Sequence, residues 1–264
     1  MKGVFVLTCP RKTADPWQHA RAVTAAVDAE DIDCPCFVVV DADEGRVAEL
    51  RQILPDHWEI ERYARPEAGT WIGGNKWPYW RLLEVALDVV GEGGEAVTLE
   101  DDVGFCMNAI TRMLTFPIPR DVDAVQFFSA WLFGVGLAEP VPGLWRTPCL
   151  VQGTQAIKFP GRSLKKLVAW GRSAEWQKFN ESDVALGLAQ QRLGLRIANH
   201  LPDIVQHTGH VSVVSHGMLA EAGVTDELTR DRANDSLGSD RISKNFPGEG
   251  FDAMRLYARH DLFR

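Results

Sequence analysis

The sequence predicts an α/β fold: a mostly parallel sheet flanked by helices, followed by a less regular C-terminal part. Three observations predict it. Apolar, valine-rich runs of strand length alternate with helix-length segments through the first half of the chain, the order that builds a parallel sheet with helices on both faces. Pro16, Pro55 and the pair Gly73-Gly74 fall where a helix starts or stops. The 264 residues are 45% hydrophobic and 24% charged. That profile suits a well-packed globular protein and excludes a disordered chain, a collagen-like repeat and a disulfide-dense miniprotein.

The elements follow in order. GVFVLTC (3–9) is a buried first strand, and a helix follows Asp15 and Pro16 over Trp17–Ala29. PCFVVVDA (35–42) is the second strand, and Glu44–Leu54 a helix that Pro55 stops. WEIERY (58–63) is a third strand. Gly73-Gly74-Asn75 opens a helix that runs to about Val90. Glu95–Leu99 is a strand ending in Glu100-Asp101-Asp102, Phe105–Thr115 a helix, and Val122–Phe128 a strand. Beyond it lie a strand pair within Leu144–Phe159, helices over Arg162–Gly171 and about Glu181–Leu193, the run LRIAN (195–199), and LPDIVQHTGHVS (201–212). The expected organisation is one domain over 1–215, in two halves (1–115 and 116–215). Residues 216–264 form a polar, glycine-containing arm.

The formal charge of −8 argues against a generic nucleic-acid coat. One stretch runs the other way: Lys158, Arg162, Lys165, Lys166, Arg172 and Lys178, with Glu175 the one acid among them. It is either a solvated helix face or a patch facing a phosphate-bearing ligand. The apolar run Ala124–Ala138 is too short for the ~20 residues a bilayer span needs, and the N-terminus imitates a signal peptide only weakly. The expected compartment is therefore the cytoplasm. Five cysteines without zinc-finger spacing leave Cys34 and Cys36 as small core residues.

The residues most suggestive of chemistry are Glu100, Asp101 and Asp102, three carboxylates placed directly after a strand. In open α/β sheets the ligand crevice lies beyond the carboxyl ends of the strands. Three negative charges packed there are unfavourable without a cation. Oxygen ligands suit Mg²⁺ or Mn²⁺, with a bound diphosphate supplying further ligands. The competing reading is an acidic loop that caps the helix near Phe105.

With these residues in view, the chain resembles the GT-A-fold glycosyltransferases, enzymes built on a Rossmann-type sheet with a DXD-type metal site. LEDDV resembles the DXD segment, and VFVLTCPRK, GGNKW, ESDVALG and PDIVQHTGHVS follow in the order that fold uses, over roughly residues 1–215. Glu100 departs from a strict Asp-x-Asp. The resemblance implies that Asp102 binds a divalent metal, Mn²⁺ or Mg²⁺, bridging to the diphosphate of a nucleotide-sugar donor, most simply a UDP-sugar. It implies that Glu100 faces the donor ribose or a metal-bound water, that Asp101 faces the transferred sugar, and that His207 completes the metal shell. His207 taken alone reads rather as a buried histidine hydrogen-bonded to backbone, and beside the acidic triplet as a metal ligand; His210 and His216 are weaker candidates. Thr8, Pro10 and Arg11 stand where the family binds the base and ribose. Asn75 and Lys76 open a helix whose exposed N–H groups can meet phosphate; for Arg11 and Lys76 plain surface charge is the alternative. Trp71, Trp77, Tyr79 and Trp80 are core aromatics or a stacking platform.

An inverting transfer needs a carboxylate that takes the acceptor hydroxyl proton. Asp183, within Asn180-Glu181-Ser182-Asp183, is that candidate and Glu181 the alternate. The rival is a capping box with Asn180 as N-cap. The expected protein is thus a metal-dependent glycosyltransferase acting on a hydroxyl acceptor: a saccharide, a protein side chain or, as in phage DNA modification, a hydroxylated nucleic-acid base, the last disfavoured by net charge. The alternatives are a Mg-dependent nucleotidyltransferase, which usually carries glycines where TCPRKTADP has none, and a non-catalytic nucleotide- or carbohydrate-binding protein.

Overall fold

Strand β1 (Lys2–Thr8) serves two cores at once: Val4 and Val6 pack on one side of the sheet, Phe5 and Leu7 on the other. Burial on both faces is what a central parallel strand requires. The computed structural model describes residues 1–11, 13–63, 76–128, 143–146, 153–173, 182–201 and 204–207. Parallel partners flank β1, with β2 (Cys36–Val40) on one side and β4 (Glu95–Glu100) on the other; β3 (Trp58–Arg62) extends the sheet beyond β2. The sheet continues past β4 through β8 (Ala156–Pro160), β6 (Ala124–Gln126), β9 (Ile197–Leu201) and β7 (Gly143–Arg146), in the order β3-β2-β1-β4-β8-β6-β9-β7. Its pairings run six strands one way and only β8 and β7 the other. The expected α/β class, a mostly parallel sheet between helical layers, is the class observed.

Helices α1 (Gln18–Asp28), α2 (Glu44–Ile53) and α4 (Ala109–Thr115) cover the Val4/Val6 face. Helices α3 (Lys76–Val90), α5 (Gly161–Gly171) and α6 (Ser182–Leu193) cover the Phe5/Leu7 face. Local chemistry sets their starts. Asp43 caps α2, its side chain accepting from the Arg46 N–H at 2.9 Å. Among the described residues no helix is long and apolar enough to cross a membrane.

Three expectations are corrected. No helix starts at Phe105: Val103–Phe105 forms a short strand, β5, paired antiparallel with β10 (Val205–His207). The backbone turns into α4 only after Asn108, whose left-handed conformation (φ 57°) separates the two. The strand pair within Leu144–Phe159 is not a pair. Strand β8 inserts between β4 and β6, where both of its edges find partners, while β7 pairs with β9. The basic stretch divides: Lys165, Lys166 and Arg172 lie on a solvated helix face, but Lys158 does not. Lys158 is fully buried; its ammonium lies 2.8 Å from Glu95 and donates to the Leu114 and Phe116 carbonyls at the end of α4. Arg162 donates to the Val122 carbonyl, Lys165 and Lys166 pair with Glu92 and Asp123, and Arg172 lies 3.8 Å from Glu84. Lys178 and the expected arm over 216–264 lie outside the described residues.

Candidate active site

The sheet order turns outward between β1 and β4: the chain builds from β1 toward β3 on one side and from β4 toward β7 on the other. Side by side, these parallel strands end with Thr8 and Glu100 at the same edge, Leu7 lying opposite Glu100. Ligand crevices of open α/β sheets form at such a switch point.

Four sequence candidates meet here. The Thr8 hydroxyl donates to Asp101 Oδ2 at 2.6 Å. Arg11 Nη2 pairs closely with Asp101 Oδ1 and lies 3.4 Å from Asp102 Oδ2. The loop carrying Arg11 is closed by its own N–H, which bonds the Pro16 carbonyl at 2.9 Å, and Pro10 sits half-buried beside it. Asp101 and Asp102 are buried. Burial pushes the Asp101 carboxyl above the usual carboxylate range; Arg11 and Thr8 pull the other way and Asp102 adds to the rise. For Arg11, burial opposes the charge, but Asp101 and Asp102 outweigh it and hold the guanidinium proton above its ordinary range. Burial, with Asp101 next, pushes the neighbouring Cys9 thiol up to about 12. Burial thus keeps the Cys9 thiol protonated at physiological pH and makes it a poor nucleophile.

The acidic turn does not cap α4. The first N–H groups of α4 are taken by Glu30, whose carboxylate accepts from Ile110 at 3.0 Å and Thr111 at 2.7 Å. The capping explanation for Glu100-Asp101-Asp102 therefore falls away.

Glu100 faces a different set. Thr154, just before β8, hydrogen-bonds Glu100 Oε1 and also lies 2.9 Å from the Ser182 hydroxyl at the start of α6. The Glu100 N–H bonds the Gln155 carbonyl at 3.0 Å. A hydroxyl has one proton, so with Glu100 ionised Thr154 donates to Glu100 and accepts from Ser182. This chain ties the first turn of α6, which holds Asp183, to the acidic turn. Glu181 lies outside the described residues.

The antiparallel register sets His207 opposite Val103, the residue after Asp102. The backbone of 207 thus runs alongside the acidic turn, although α4, α5, α6 and four strands of the large sheet lie between the two segments in sequence. The His207 side chain lies outside the described residues, as do His210 and His216. Lys76 is the first residue of α3. That helix connects the parallel strands β3 and β4, so its N-terminus lies at the carboxyl edge of the sheet. Asn75 and Trp71 lie outside the described residues, whereas Tyr79 and Trp80 are core, and Trp77 packs against them half-buried.

Sequence reasoning missed three residues at this edge. Asp41 is buried just past β2, its N–H bonded to the Thr8 carbonyl at 3.0 Å. It is the first polar residue after the run FVVV, a signal of the same kind as LEDD. Thr154 and Ser182 carry no local signal, because their meaning comes from contacts between distant segments.

Among the described residues no three His, Cys, Asp or Glu side chains gather into a metal cluster. A divalent ion bound by one or two carboxylates and completed by phosphates needs no such all-protein cage. Two buried carboxylates already drawn to one cationic group fit that arrangement.

No family model and no curated protein sequence matches this chain. Many solved structures are similar to it, two of them as follows. One is a nucleotide-diphospho-sugar transferase from Desulfovibrio desulfuricans, with a TM-score of 0.45 and 10% identity over 93% of this chain and 98% of that one. The other is a mutant galactosyltransferase from Drosophila in complex with manganese, UDP-Gal and xylobiose, with a TM-score of 0.40 and 11% identity over 79% and 71%. Likeness at this level transfers neither activity nor residue roles.

Proposed function

We propose that the chain is a metal-dependent glycosyltransferase that moves a sugar from a nucleotide-sugar donor, a UDP-sugar in the simplest case, to a hydroxyl acceptor. One observation carries the reading: the buried carboxylates Asp101 and Asp102 sit at the switch point of the sheet, leave the capping of α4 to Glu30, and are drawn to a cation. In this reading Asp102 and His207 hold Mn²⁺ or Mg²⁺. When bound, the ion supplies Lewis-acid stabilisation of the charge that develops on the leaving diphosphate. Thr8 and Pro10 line the base and ribose end of the donor, and Asp101, held by Thr8 and Arg11, faces the sugar. Glu100 orients the ribose side and is itself steadied by Thr154. Lys76 and the exposed N–H groups of α3, with Asn75, favour the diphosphate.

Asp183 is the proposed base, with Glu181 the alternate. Its carboxylate takes the acceptor hydroxyl proton as the acceptor oxygen bonds to the anomeric carbon, and the bond from that carbon to the diphosphate oxygen breaks. The link from Glu100 through Thr154 to Ser182 favours Asp183, because it fixes the start of α6 relative to the donor end. The test is a hydrolysis screen of common nucleotide sugars with Mn²⁺, followed by an acceptor screen and product analysis. Release of a nucleoside diphosphate supports the reading. Release of pyrophosphate from a nucleoside triphosphate and a sugar phosphate makes the protein a nucleotidyltransferase instead, and metal-dependent binding without turnover of any donor makes it a binding protein.

A further inference from the structure

We propose that Arg11 is a built-in counter-cation that competes with the divalent ion for the acidic turn and is drawn off by the donor diphosphate. The proposal rests on the metal reading above. Arg11 spans both carboxylates through a single nitrogen, closely at Asp101 and at 3.4 Å from Asp102. All three side chains are largely withdrawn from water, with 11%, 5% and 11% of their surface exposed, so the pairing is weakly screened. The two contacts differ in kind. Asp101 is held on both oxygens, by Thr8 and Arg11, whereas Arg11 meets Asp102 only at the edge of hydrogen-bond range. Asp102 is thus the carboxylate that Arg11 can release without abandoning its own anchor.

A second observation points to an anion. Arg11 Nε is buried and has no hydrogen-bond acceptor among the described residues. A buried guanidinium N–H without an acceptor is costly, and a phosphate oxygen is an acceptor that a guanidinium fits well. Diphosphate binding at Nε would draw the guanidinium from Asp102 and open that carboxylate to the metal. Each ligand then helps the other, beyond any direct contact between them, and the help is reciprocal.

Calorimetric titration of the metal-free protein with MnCl₂ alone tests this, using wild type, Arg11→Gln, Arg11→Lys and Asp102→Asn. Removing the competing charge in Arg11→Gln should tighten Mn²⁺ binding by roughly tenfold. Arg11→Lys, which keeps the charge on a more strongly hydrated ammonium and lacks Nε, should fall between, and it serves the same purpose if Arg11→Gln does not fold. Mn²⁺ should raise the melting temperature of Arg11→Gln more than that of wild type. The factor by which UDP tightens Mn²⁺ binding should shrink in both Arg11 variants. Mn²⁺ binding to either Arg11 variant no tighter than to wild type overturns the proposal. If Asp102→Asn still loses Mn²⁺ in that case, the metal reading stands without the competition. If Asp102→Asn binds Mn²⁺ as wild type does, the assignment of Asp102 falls and this proposal falls with it.

Discussion

Thr154 shows how one hydroxyl can govern a site it never enters. It is buried and shared between Glu100 and Ser182. Thr154→Val keeps the shape and removes the hydroxyl, which leaves two polar groups short of a partner at a cost of about 1–3 kcal/mol. A urea unfolding series should show a lower midpoint with an unchanged slope. Cys9 gives a prediction of the opposite kind. With its thiol pushed up to about 12, it should resist alkylation by iodoacetamide at neutral pH in the folded protein and react once the chain is unfolded; rapid labelling in the native state contradicts that environment. The acidic turn and Arg11 were legible from the sequence because each follows an apolar strand run. Thr154 and Ser182 were not, since a hydroxyl becomes informative only when folding brings its partner to it. Arg11 was legible as a cation near a ligand but not as the partner of Asp101.

Among the elements, α5 is held against α3 through an indole. Trp80 of α3 donates its indole N–H to the Leu167 carbonyl at 3.2 Å. A Cβ on Gly171 would come within 1.8 Å of that indole nitrogen. Gly171→Ala therefore forces the ring or the helix to move and should cost about 1–3 kcal/mol of stability, read as a fall in melting temperature. Asp123 joins three elements, accepting from the Arg196 N–H, Lys166 and Ser163. Burial raises its pKa, but these donors outweigh burial and hold the carboxyl below the usual range. A depressed carboxylate contributes stability above its unfolded value of about 4 and loses it as pH falls through the folded value. Asp123→Asn should accordingly flatten the acid limb of the stability profile below about pH 4, and an unaltered limb would contradict the assignment. The long helices and the valine-rich strands matched their patterns closely. Strand β5 did not, because Val103-Gly104-Phe105 is too short to show a period and is defined by a partner about a hundred residues later.

At the scale of the whole molecule, sheet order decides where chemistry can sit. Local periodicity predicted strands and helices but not that β8 inserts between β4 and β6, and so not that Lys158 lies inside the sheet. Counting charges along the chain made 158–178 look like a basic face; in the fold its described members are tied to Glu92, Glu95, Asp123, Glu84 and backbone carbonyls. With a net charge of −8 as well, the protein should show no salt-dependent affinity for hydroxymethylated duplex DNA in a fluorescence titration. Steep loss of binding with added salt would restore nucleic acid as an acceptor class. The switch point between β1 and β4 is the centre of the whole account, and titration of UDP into wild type and Asp102→Asn, with and without Mn²⁺, tests it most directly. The predicted result is UDP binding to wild type that depends on Mn²⁺, and loss of that dependence in Asp102→Asn. Equal UDP binding with and without the metal, or the same metal dependence in both proteins, would contradict it.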